Sequence, residues 1–232
     1  MAETGRVVLG IDTATMVCAG LAVDGVVVAA ETIEDRMAHV EQLTPLVRRL
    51  CDEAGVRPIE LTDVVIGLGP GPYTGLRVGI VTGRVLAEVA GARLHGICSL
   101  DVIAAQHVAS GEPASEFVVV TDARRKEVYW ARYAADGTRL EGPAVAKSTE
   151  VPRLPTVGPA AELYADTLEV VPGPRSLDPA TLALAGPDLA DAGVEPLYLR
   201  RPDAAEPGRR KSVLVRRSGP VRRSGPVRRS GR

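Results

Sequence analysis

Residues 7–30 read V-V-L-G-I-D-T-A-T-M-V-C-A-G-L-A-V-D-G-V-V-V-A-A. Three apolar runs alternate with two short breaks, and the second break is the dipeptide Asp24-Gly25. Asp-Gly between apolar runs is a strong hairpin signal because both residues tolerate a positive φ. The stretch therefore predicts strand, turn, strand, turn, strand. With the helices that follow it, this stretch decides the fold class as α/β.

The same pattern returns in the second half of the chain. An apolar run over Phe117–Asp122 is followed by Glu127–Tyr133 and then by Asp136-Gly137 before a third short run. Such a repeat suggests an internal duplication that gives two similar lobes. We expect an N-terminal lobe over 1–107 and a C-terminal lobe over 108–204.

Helical periodicity predicts two long helices in the first lobe, over His39–Ala54 and 74–90, with a buried strand at 64–68 between them. Gly55 and Gly91 follow these helices, as glycine commonly does at a helix end. Further along the chain we expect a third helix over 99–110, a short helix near Pro179–Ala185 and an extended run over 196–200.

Composition narrows the possible classes of function. Hydrophobic residues make up 45% of the 232 residues and aromatic residues only 3%, so binding through stacked rings is disfavoured. No apolar run approaches the roughly 20 residues of a membrane span, and the first residues lack the layout of a signal peptide. We therefore expect a cytoplasmic chain that contacts no membrane. Cys18, Cys51 and Cys98 lack the spacing of a disulfide framework or a metal motif, so buried thiols are expected.

The charge of the chain is divided unevenly. Residues 205–232 carry ten Arg or Lys and one Glu, whereas residues 1–204 carry 18 basic and 28 acidic side chains, a net charge of −10. The tail repeats V-R-R-S-G-P without apolar periodicity, so we expect residues 205–232 to be disordered. The tail is either a solvated extension without a function or a tether for the phosphates of tRNA.

The first turn offers a weak candidate for a nucleotide site. Asp12, Thr13 and Thr15 resemble the phosphate hairpin of the actin, Hsp70 and sugar-kinase superfamily. Phosphate binding there favours glycines, which let backbone amides approach the ligand, whereas apolar residues follow in this chain. The second copy, D-A-R-R at 122–125, departs from the phosphate pattern as well. No cofactor is therefore expected to bind.

A glycine-rich segment, G-P-G-P-Y-T-G-L-R-V-G at 69–79, lacks the spacing of the nucleotide-binding glycine motifs. It predicts a stiff turn into the second helix, with Thr74 as the capping residue and anion binding as a minor possibility. Gly75, Gly79 and Gly83 recur every four residues, and a glycine inside a helix costs about 1 kcal/mol relative to alanine. Close packing must compensate, either inside the lobe or across an interface. A separate apolar side is formed by Val78, Val81, Val85 and Val89.

The first helix has a wide apolar arc, which exceeds the single stripe that a surface helix needs for its own sheet. The surplus suggests a second buried contact with a partner. The two helices together give a candidate partner interface formed by His39, Leu43, Leu46, Val47, Leu50, Thr74, Gly75, Val78, Gly79, Thr82 and Gly83.

The sequence offers little for catalysis. His39, His95 and His107 include no pair at the spacing of a helix-borne metal site, and Ser99 lacks the G-x-S-x-G elbow of a hydrolase nucleophile. No catalytic or metal-binding residue is predicted. A stand-alone peptidase and an ATPase of the actin superfamily stay open as alternatives.

Several segments together resemble the TsaB (YeaZ) family of bacterial proteins. They are L-G-I-D-T-A-T at 9–15, Arg36 with H-V-E-Q-L-T-P at 39–45, the glycine-rich segment at 69–79, D-A-R-R-K-E-V-Y-W-A-R-Y at 122–133, V-G at 157–158 and P-L-Y-L-R at 196–200. Pro72 and Tyr73 stand where Ser and Phe are usual in the family, and both departures are mild. The V-R-R-S-G-P tail matches no family pattern.

This resemblance implies a duplicated actin-like, Hsp70-like fold of the ribonuclease H-like (ASKHA) class. It also implies a non-catalytic scaffold that binds and supports TsaD, with TsaE as a further partner, in the transfer of a threonylcarbamoyl group to adenosine of tRNA. ATP and metal are then expected on TsaD, and tRNA is reached indirectly through the complex. The helices at His39–Ala54 and 74–91 would face TsaD, and a homodimer would use the same surface when TsaD is absent.

Overall fold

Two five-stranded sheets form the framework of the computed structural model, which describes residues 5–33, 39–111 and 113–200, without the side chains of His39 and Val40. These residues belong to one compact unit, and the tail at 205–232 lies outside the described residues. The strands are β1 (Val7–Asp12), β2 (Val17–Val23), β3 (Val26–Ile33), β4 (Asp63–Gly67), β5 (Arg93–Ile97), β6 (Phe117–Asp122), β7 (Glu127–Tyr133), β8 (Arg139–Lys147), β9 (Pro155–Val157) and β10 (Glu169–Val170). The α-helices are α1 (His39–Ala54), α2 (Tyr73–Ala90), α3 (Ser99–Ala109) and α4 (Pro179–Ala185).

The first sheet has the strand order β3-β2-β1-β4-β5. Strands β1, β2 and β3 form consecutive antiparallel hairpins, whereas β4 and β5 extend the sheet parallel to β1. The turn between β2 and β3 has Asp24 at φ 51° and Gly25 at φ 78°, which confirms the predicted Asp-Gly hairpin. Strand β5 was not predicted from the sequence, because its residues R-L-H-G-I begin with an exposed arginine and contain a half-buried histidine.

The second sheet repeats this topology in the order β10-β9-β6-β7-β8. Strands β6, β7 and β8 are again antiparallel neighbours. Strands β9 and β10 are again parallel to their neighbours. A Gly-Pro dipeptide with a positive glycine φ follows both β4 and β9, at Gly69 (φ 91°) and Gly158 (φ 116°). The duplicated, ribonuclease H-like α/β fold predicted from the sequence is therefore confirmed.

The two halves differ in the helices that cover their outer faces. Helices α1 and α2 connect β3 to β4 and β4 to β5, whereas 3-10 turns at Ser148–Glu150 and Glu162–Tyr164 occupy the equivalent connections in the second half. Among the described residues, long helices therefore cover the outer face of the first half alone, and they pack on the side of the sheet that carries Leu9 and Ile11.

Helices α3 and α4 pack between the two sheets. Helix α4 contacts β1, β2 and β3 although it follows the last strand of the second sheet, and α3 contacts β6 and β7. Asp101 on α3 accepts hydrogen bonds from the Tyr133 hydroxyl at 2.7 Å and the Arg139 guanidinium at 3.1 Å. A boundary between residues 107 and 108 would fall inside α3, so the two halves are joined through a shared core.

No helix among the described residues has the length and apolar character to cross a bilayer.

Candidate partner-binding surface

The turn after β1 and the glycine-rich loop after β4 meet at the carboxyl ends of these strands. The Asp12 carboxylate is buried, accepts the backbone N–H of Ala14 at 2.7 Å and is hydrogen-bonded by the Ser99 hydroxyl. That hydroxyl in turn accepts the N–H of Gly69 at 3.1 Å. A Cβ on Gly67 would overlap the Asp12 carboxylate, so this close approach requires glycine. Asp12 thus joins β1, β4 and α3.

Burial raises the pKa of Asp12 to about 6, although the hydrogen bonds from Ser99 and Ala14 favour the charged form. A carboxylate exposed in the unfolded chain has the ordinary value of 3.8. The folded chain therefore binds a proton at Asp12 more tightly than the unfolded chain does. The stabilisation that this proton gives is fully present below pH 3.8. This contribution is lost as the pH rises through about 6.

We expect the Asp12→Asn variant to lose this pH dependence. The free energy of unfolding of the wild type, relative to the variant, should rise by about 2–3 kcal/mol as the pH falls from 7 to 4, because one pKa unit corresponds to about 1.4 kcal/mol. Urea unfolding of both proteins at several pH values checks this. Other titrating groups contribute equally to both proteins and cancel in the comparison. A difference in unfolding free energy that stays constant with pH would contradict the shifted pKa of Asp12.

Thr13 packs against the beginning of α2. Its hydroxyl donates to the carbonyl oxygen of Gly75 at 2.8 Å, and a Cβ on Gly79 would overlap the Thr13 side chain. Asp12 and Thr13 are buried, and Thr15 is half-buried. Of the three residues proposed from sequence as a weak nucleotide site, Asp12 and Thr13 therefore contact the chain's own loops and α2.

The start of α2 differs from the sequence prediction in one respect. Pro72 is the N-cap, without a side-chain hydrogen bond, and its carbonyl accepts the N–H of Leu76 at 3.0 Å. Thr74 lies inside the first turn and is exposed, so the prediction that its hydroxyl caps the helix was wrong. Proline is preorganised for the start of a helix and needs no partner for an N–H.

The glycines of α2 face the first sheet. Gly79 and Gly83 are buried, and a Cβ on Gly83 would overlap the Ile66 side chain on β4. Gly75 is half-buried with the Thr13 carbonyl 2.9 Å from its absent Cβ. The close packing that the sequence required is therefore inside the lobe, and placing these glycines at a partner interface is corrected.

The apolar arc of α1 is likewise filled by the chain itself. Helix α1 packs on β2, β3 and α2, and its large apolar side chains belong to the core of the first half. Part of this arc was predicted to contact a partner, and this prediction is corrected for the buried residues Leu43, Leu46, Val47 and Leu50. The side chain of His39 lies outside the described residues.

The exposed side of α2 carries one continuous row at four-residue spacing. Tyr73, Arg77, Val81, Val85 and Val89, here called the α2 ridge, are all exposed. The exposed fractions are 37% for the tyrosine and 58%, 56% and 65% for the three valines. Exposed Thr74 and half-buried Val78 and Thr82 flank the ridge. The valines were predicted from the sequence as a separate apolar side, but Tyr73 and Arg77, which follow the same spacing, were not included in it.

The N-terminal end of the α2 ridge is held by the C-terminal segment. The rings of Tyr73 and Tyr198 stack with centroids 4.8 Å apart, and the Arg77 guanidinium lies 4.0 Å from the Tyr73 ring centroid. Arg77 Nε also donates to the Tyr198 hydroxyl at 2.9 Å. The Leu197 N–H donates to the Leu68 carbonyl at 2.9 Å. The segment at 196–200 therefore fixes the side chains at this end of the ridge.

Potential nucleophiles are poorly placed for catalysis. Cys18, Cys51 and Cys98 are buried, and burial raises the pKa of each thiol, that of Cys98 to about 12. Ser99 and His107 lie eight residues apart on α3, which separates them by about 12 Å along the helix axis. Within residues 5–33, 39–111 and 113–200, no group of three His, Cys, Asp or Glu residues could hold a metal ion.

Comparisons with known proteins place this geometry in a family. The model of the TsaD family, tRNA N6-adenosine threonylcarbamoyltransferase, matches residues 27–186. Uncharacterised proteins of Mycobacterium tuberculosis and Mycobacterium leprae are 42% and 43% identical to this chain over 85% of its length. The alignments cover 93% of the first protein but only 56% of the second, so the chain spans about half of the Mycobacterium leprae relative.

Two further matches carry the family name. The Escherichia coli tRNA threonylcarbamoyladenosine biosynthesis protein TsaB is 34% identical over 56% of this chain and 55% of its own length. The structure of YeaZ from Pseudomonas aeruginosa superposes with a TM-score of 0.67 and 25% identity, and covers 84% of this chain and 100% of its own. Since the duplicated topology, the sequence motifs and these matches agree, the chain belongs to the TsaD family, in its TsaB (YeaZ) branch.

Proposed function

We propose that the chain is a non-catalytic subunit in the biosynthesis of tRNA threonylcarbamoyladenosine in the cytoplasm, where it binds and supports TsaD, with TsaE as a further partner. In this proposal TsaD binds the ATP and the metal ion and performs the transfer, and tRNA is reached through the complex. The single observation that carries the proposal is that the α2 ridge is exposed in a chain that belongs to this family.

The α2 ridge has the geometry of a helix-docking surface. Residues at four-residue spacing form one of the side-chain ridges that fit into the grooves of a facing helix. Val81, Val85 and Val89 are more than half exposed and adjoin each other on the helix surface. Three adjoining exposed valines next to a fixed pair of tyrosines provide an apolar patch with aromatic anchors, which is typical of interfaces.

The buried side of α2 supports this role. Because Gly79 and Gly83 let the helix approach Thr13 and Ile66 closely, α2 is fixed against the sheet and its outer ridge is presented on a rigid element. A partner that docks there loses little free energy to ordering of the surface. We propose that a second copy of this chain occupies the same ridge when TsaD is absent.

The alternative is a stand-alone peptidase or an actin-superfamily ATPase. The Ser99 hydroxyl is bound to Asp12 and Gly69, the only histidine on its helix is about two turns away, and the thiols have raised pKa values. Asp12 and Thr13, which an ATPase would turn toward phosphate, are buried in intramolecular contacts. These observations favour the scaffold over the enzyme.

The proposal is tested by the association of the purified chain with TsaD, measured by light scattering and sedimentation velocity. The double variant Val81→Glu with Val85→Glu should raise the Kd at least about 30-fold, or by about 2 kcal/mol, because two carboxylates would be desolvated without partners. Both side chains are exposed in the free chain, so its unfolding free energy should change by less than about 0.5 kcal/mol.

Matched controls are Val26→Glu and Leu163→Glu, which change side chains of similar exposure, 64% and 65%, away from α2. Both controls should bind TsaD as the wild type does. Wild-type affinity of the α2 ridge variant, or equal losses in the controls, would refute the docking surface. Turnover of ATP or a protein substrate by the isolated chain would favour the enzyme alternative instead.

A further inference from the structure

Residues 196–200, here called the strap, cross from the first half of the chain to the second. Just before the strap, the Ala192 N–H donates to the Gly96 carbonyl on β5 at 2.7 Å. Within it, the Leu197 N–H donates to the Leu68 carbonyl at 2.9 Å. The Leu197 side chain packs both against the core beneath α1 and α2 and against the core between the two sheets. The strap is therefore anchored on the first half at Leu197.

The other end of the strap is anchored on the second half. The Arg200 guanidinium donates from Nη1 to the Ala123 carbonyl and, at 2.6 Å, from Nη2 to the Glu127 carboxylate. The two side chains of this ion pair are only 25% and 32% exposed. A planar guanidinium that donates two hydrogen bonds to partly buried acceptors is fixed in direction as well as in distance. Arg200, the last residue that the structure describes, is thus a directional anchor.

Tyr198 lies between the two anchors and reaches the α2 ridge. Its ring stacks on Tyr73 with centroids 4.8 Å apart, and its hydroxyl accepts Arg77 Nε at 2.9 Å. The residue is 37% exposed, so part of the ring is accessible to a partner. Neither of the two sheets in the described part of the chain includes the strap as a strand. The orientation of the Tyr198 ring therefore depends on the anchors on either side of it.

The turn that Arg200 touches has other contacts to hold it. Asp122 Oδ1 accepts the Tyr164 hydroxyl at 3.3 Å, and the Ala123 N–H donates to the Glu127 carbonyl at 3.0 Å. Neither bond involves Arg200, and an ion pair with this much solvent access adds little to the stability of a fold. The structural effect of the Arg200 contacts is therefore concentrated on the strap.

We propose that Arg200 is a positioning residue for partner docking, which fastens the strap to the second half and so holds the Tyr198 ring beside the α2 ridge in the orientation that TsaD contacts. A side chain that is ordered before binding loses less conformational entropy when the complex forms. Without the Arg200 anchor the end of the strap is free, and its ordering then opposes binding. The inference rests on the proposed function, because it adds two residues outside α2 to the same docking surface.

The test is a double-mutant cycle on the full chain, in which sedimentation velocity gives the Kd for TsaD. Arg200→Gln should raise the Kd roughly three- to tenfold, and Tyr198→Ala should raise it at least about tenfold. Because Arg200 acts through Tyr198, adding Arg200→Gln to Tyr198→Ala should raise the Kd by less than about twofold further. Arg200→Lys keeps a cation for Glu127 but loses the fork, so its Kd should lie between those of the wild type and Arg200→Gln.

The matched control is Arg175→Gln, which removes the arginine from another ion pair of the second half, that with Glu162. It has the same net charge as Arg200→Gln and should bind TsaD as the wild type does. Unchanged affinity of Arg200→Gln, an equal loss in the control, or additive losses in the cycle would overturn the inference. A much larger loss of stability in Arg200→Gln than in the control, measured by urea unfolding, would make Arg200 a structural residue and would overturn it as well.

The same assay separates this inference from the proposed function. If the wild type does not associate with TsaD, or if the α2 ridge variant binds as the wild type does, the proposed function fails and the inference fails with it. If the wild type binds and the α2 ridge variant does not, the outcome of the cycle decides the role of Arg200 alone.

Discussion

Replacing Gly83 by leucine should destabilise the fold by about 3 kcal/mol, a large share of the 5–15 kcal/mol that stabilises a typical domain. Even a Cβ at this position would overlap the Ile66 side chain, which is fully buried in the first sheet. Helix α2 would have to move away from β4 and lose its packing. Chemical denaturation of the purified variant measures the loss.

The smaller change Gly83→Ala gives a sharper test, because alanine normally stabilises a helix interior by about 1 kcal/mol over glycine. Here the overlap should reverse that sign and the variant should be less stable than the wild type. The control is Val85→Ala on the exposed side of the same helix, with a change within about 0.5 kcal/mol. A stabilising Gly83→Ala would show that α2 does not need its close approach to the sheet.

Removal of the Asp63 side chain should also strongly lower the free energy of unfolding. This buried carboxylate lies at the start of β4, 2.8 Å from His95 Nε2, 3.2 Å from Arg93 Nε, 3.3 Å from Arg6 Nε and 2.8 Å from the Thr62 hydroxyl. It thereby connects the starts of β1, β4 and β5. Asp63→Ala should cost about 2–4 kcal/mol, because a buried network loses its central acceptor.

The effect of Asp63 should depend on pH. Burial alone would raise the pKa of Asp63, but the hydrogen bonds from His95, Thr62 and Arg6 and the charge of Arg93 outweigh it and lower the pKa below 3.8. The stabilisation by Asp63 is therefore present above pH 3.8 and is lost as the pH falls through the lowered pKa of the folded chain. Urea unfolding of Asp63→Ala should approach the wild type in strongly acidic solution. The control is Asp52, an exposed carboxylate that belongs to a separate ion pair on the surface. Asp52→Ala should change stability by less than about 0.5 kcal/mol at any pH.

Local patterns allowed much of the fold to be predicted from the sequence. The bounds of α1 and α4 and of β6 and β7 agree with the structure, because each has clear periodicity and a turn or glycine beside it. The strands β9 and β10 were missed, since three and two residues are too few to show a period. The run at 196–200 forms no strand: Leu197 donates one hydrogen bond to Leu68, and the N–H groups of Tyr198 and Leu199 donate to carbonyls two residues back, as in γ-turns.

The site was harder to predict because periodicity shows which residues are buried but not what covers them. Leu43 and Leu50 fit either a sheet or a partner, and only the position of β2 and β3 decides between the two. Asp12 at the end of β1 has the appearance of a phosphate ligand until Ser99, 87 residues later, is found bonded to it. Contacts between residues so distant in sequence leave no local pattern.

The packing of α4 against the first sheet has a consequence for how the chain folds during synthesis. Strands β1, β2 and β3 leave the ribosome early. Helix α4, which covers their inner face, is synthesised only after all the strands of both sheets. At about 5–20 residues per second, that face stays uncovered for on the order of ten seconds. The nascent first half therefore exposes apolar surface to chaperones and to neighbouring chains until α4 has been made, and the inner face of the first sheet is not buried before that point.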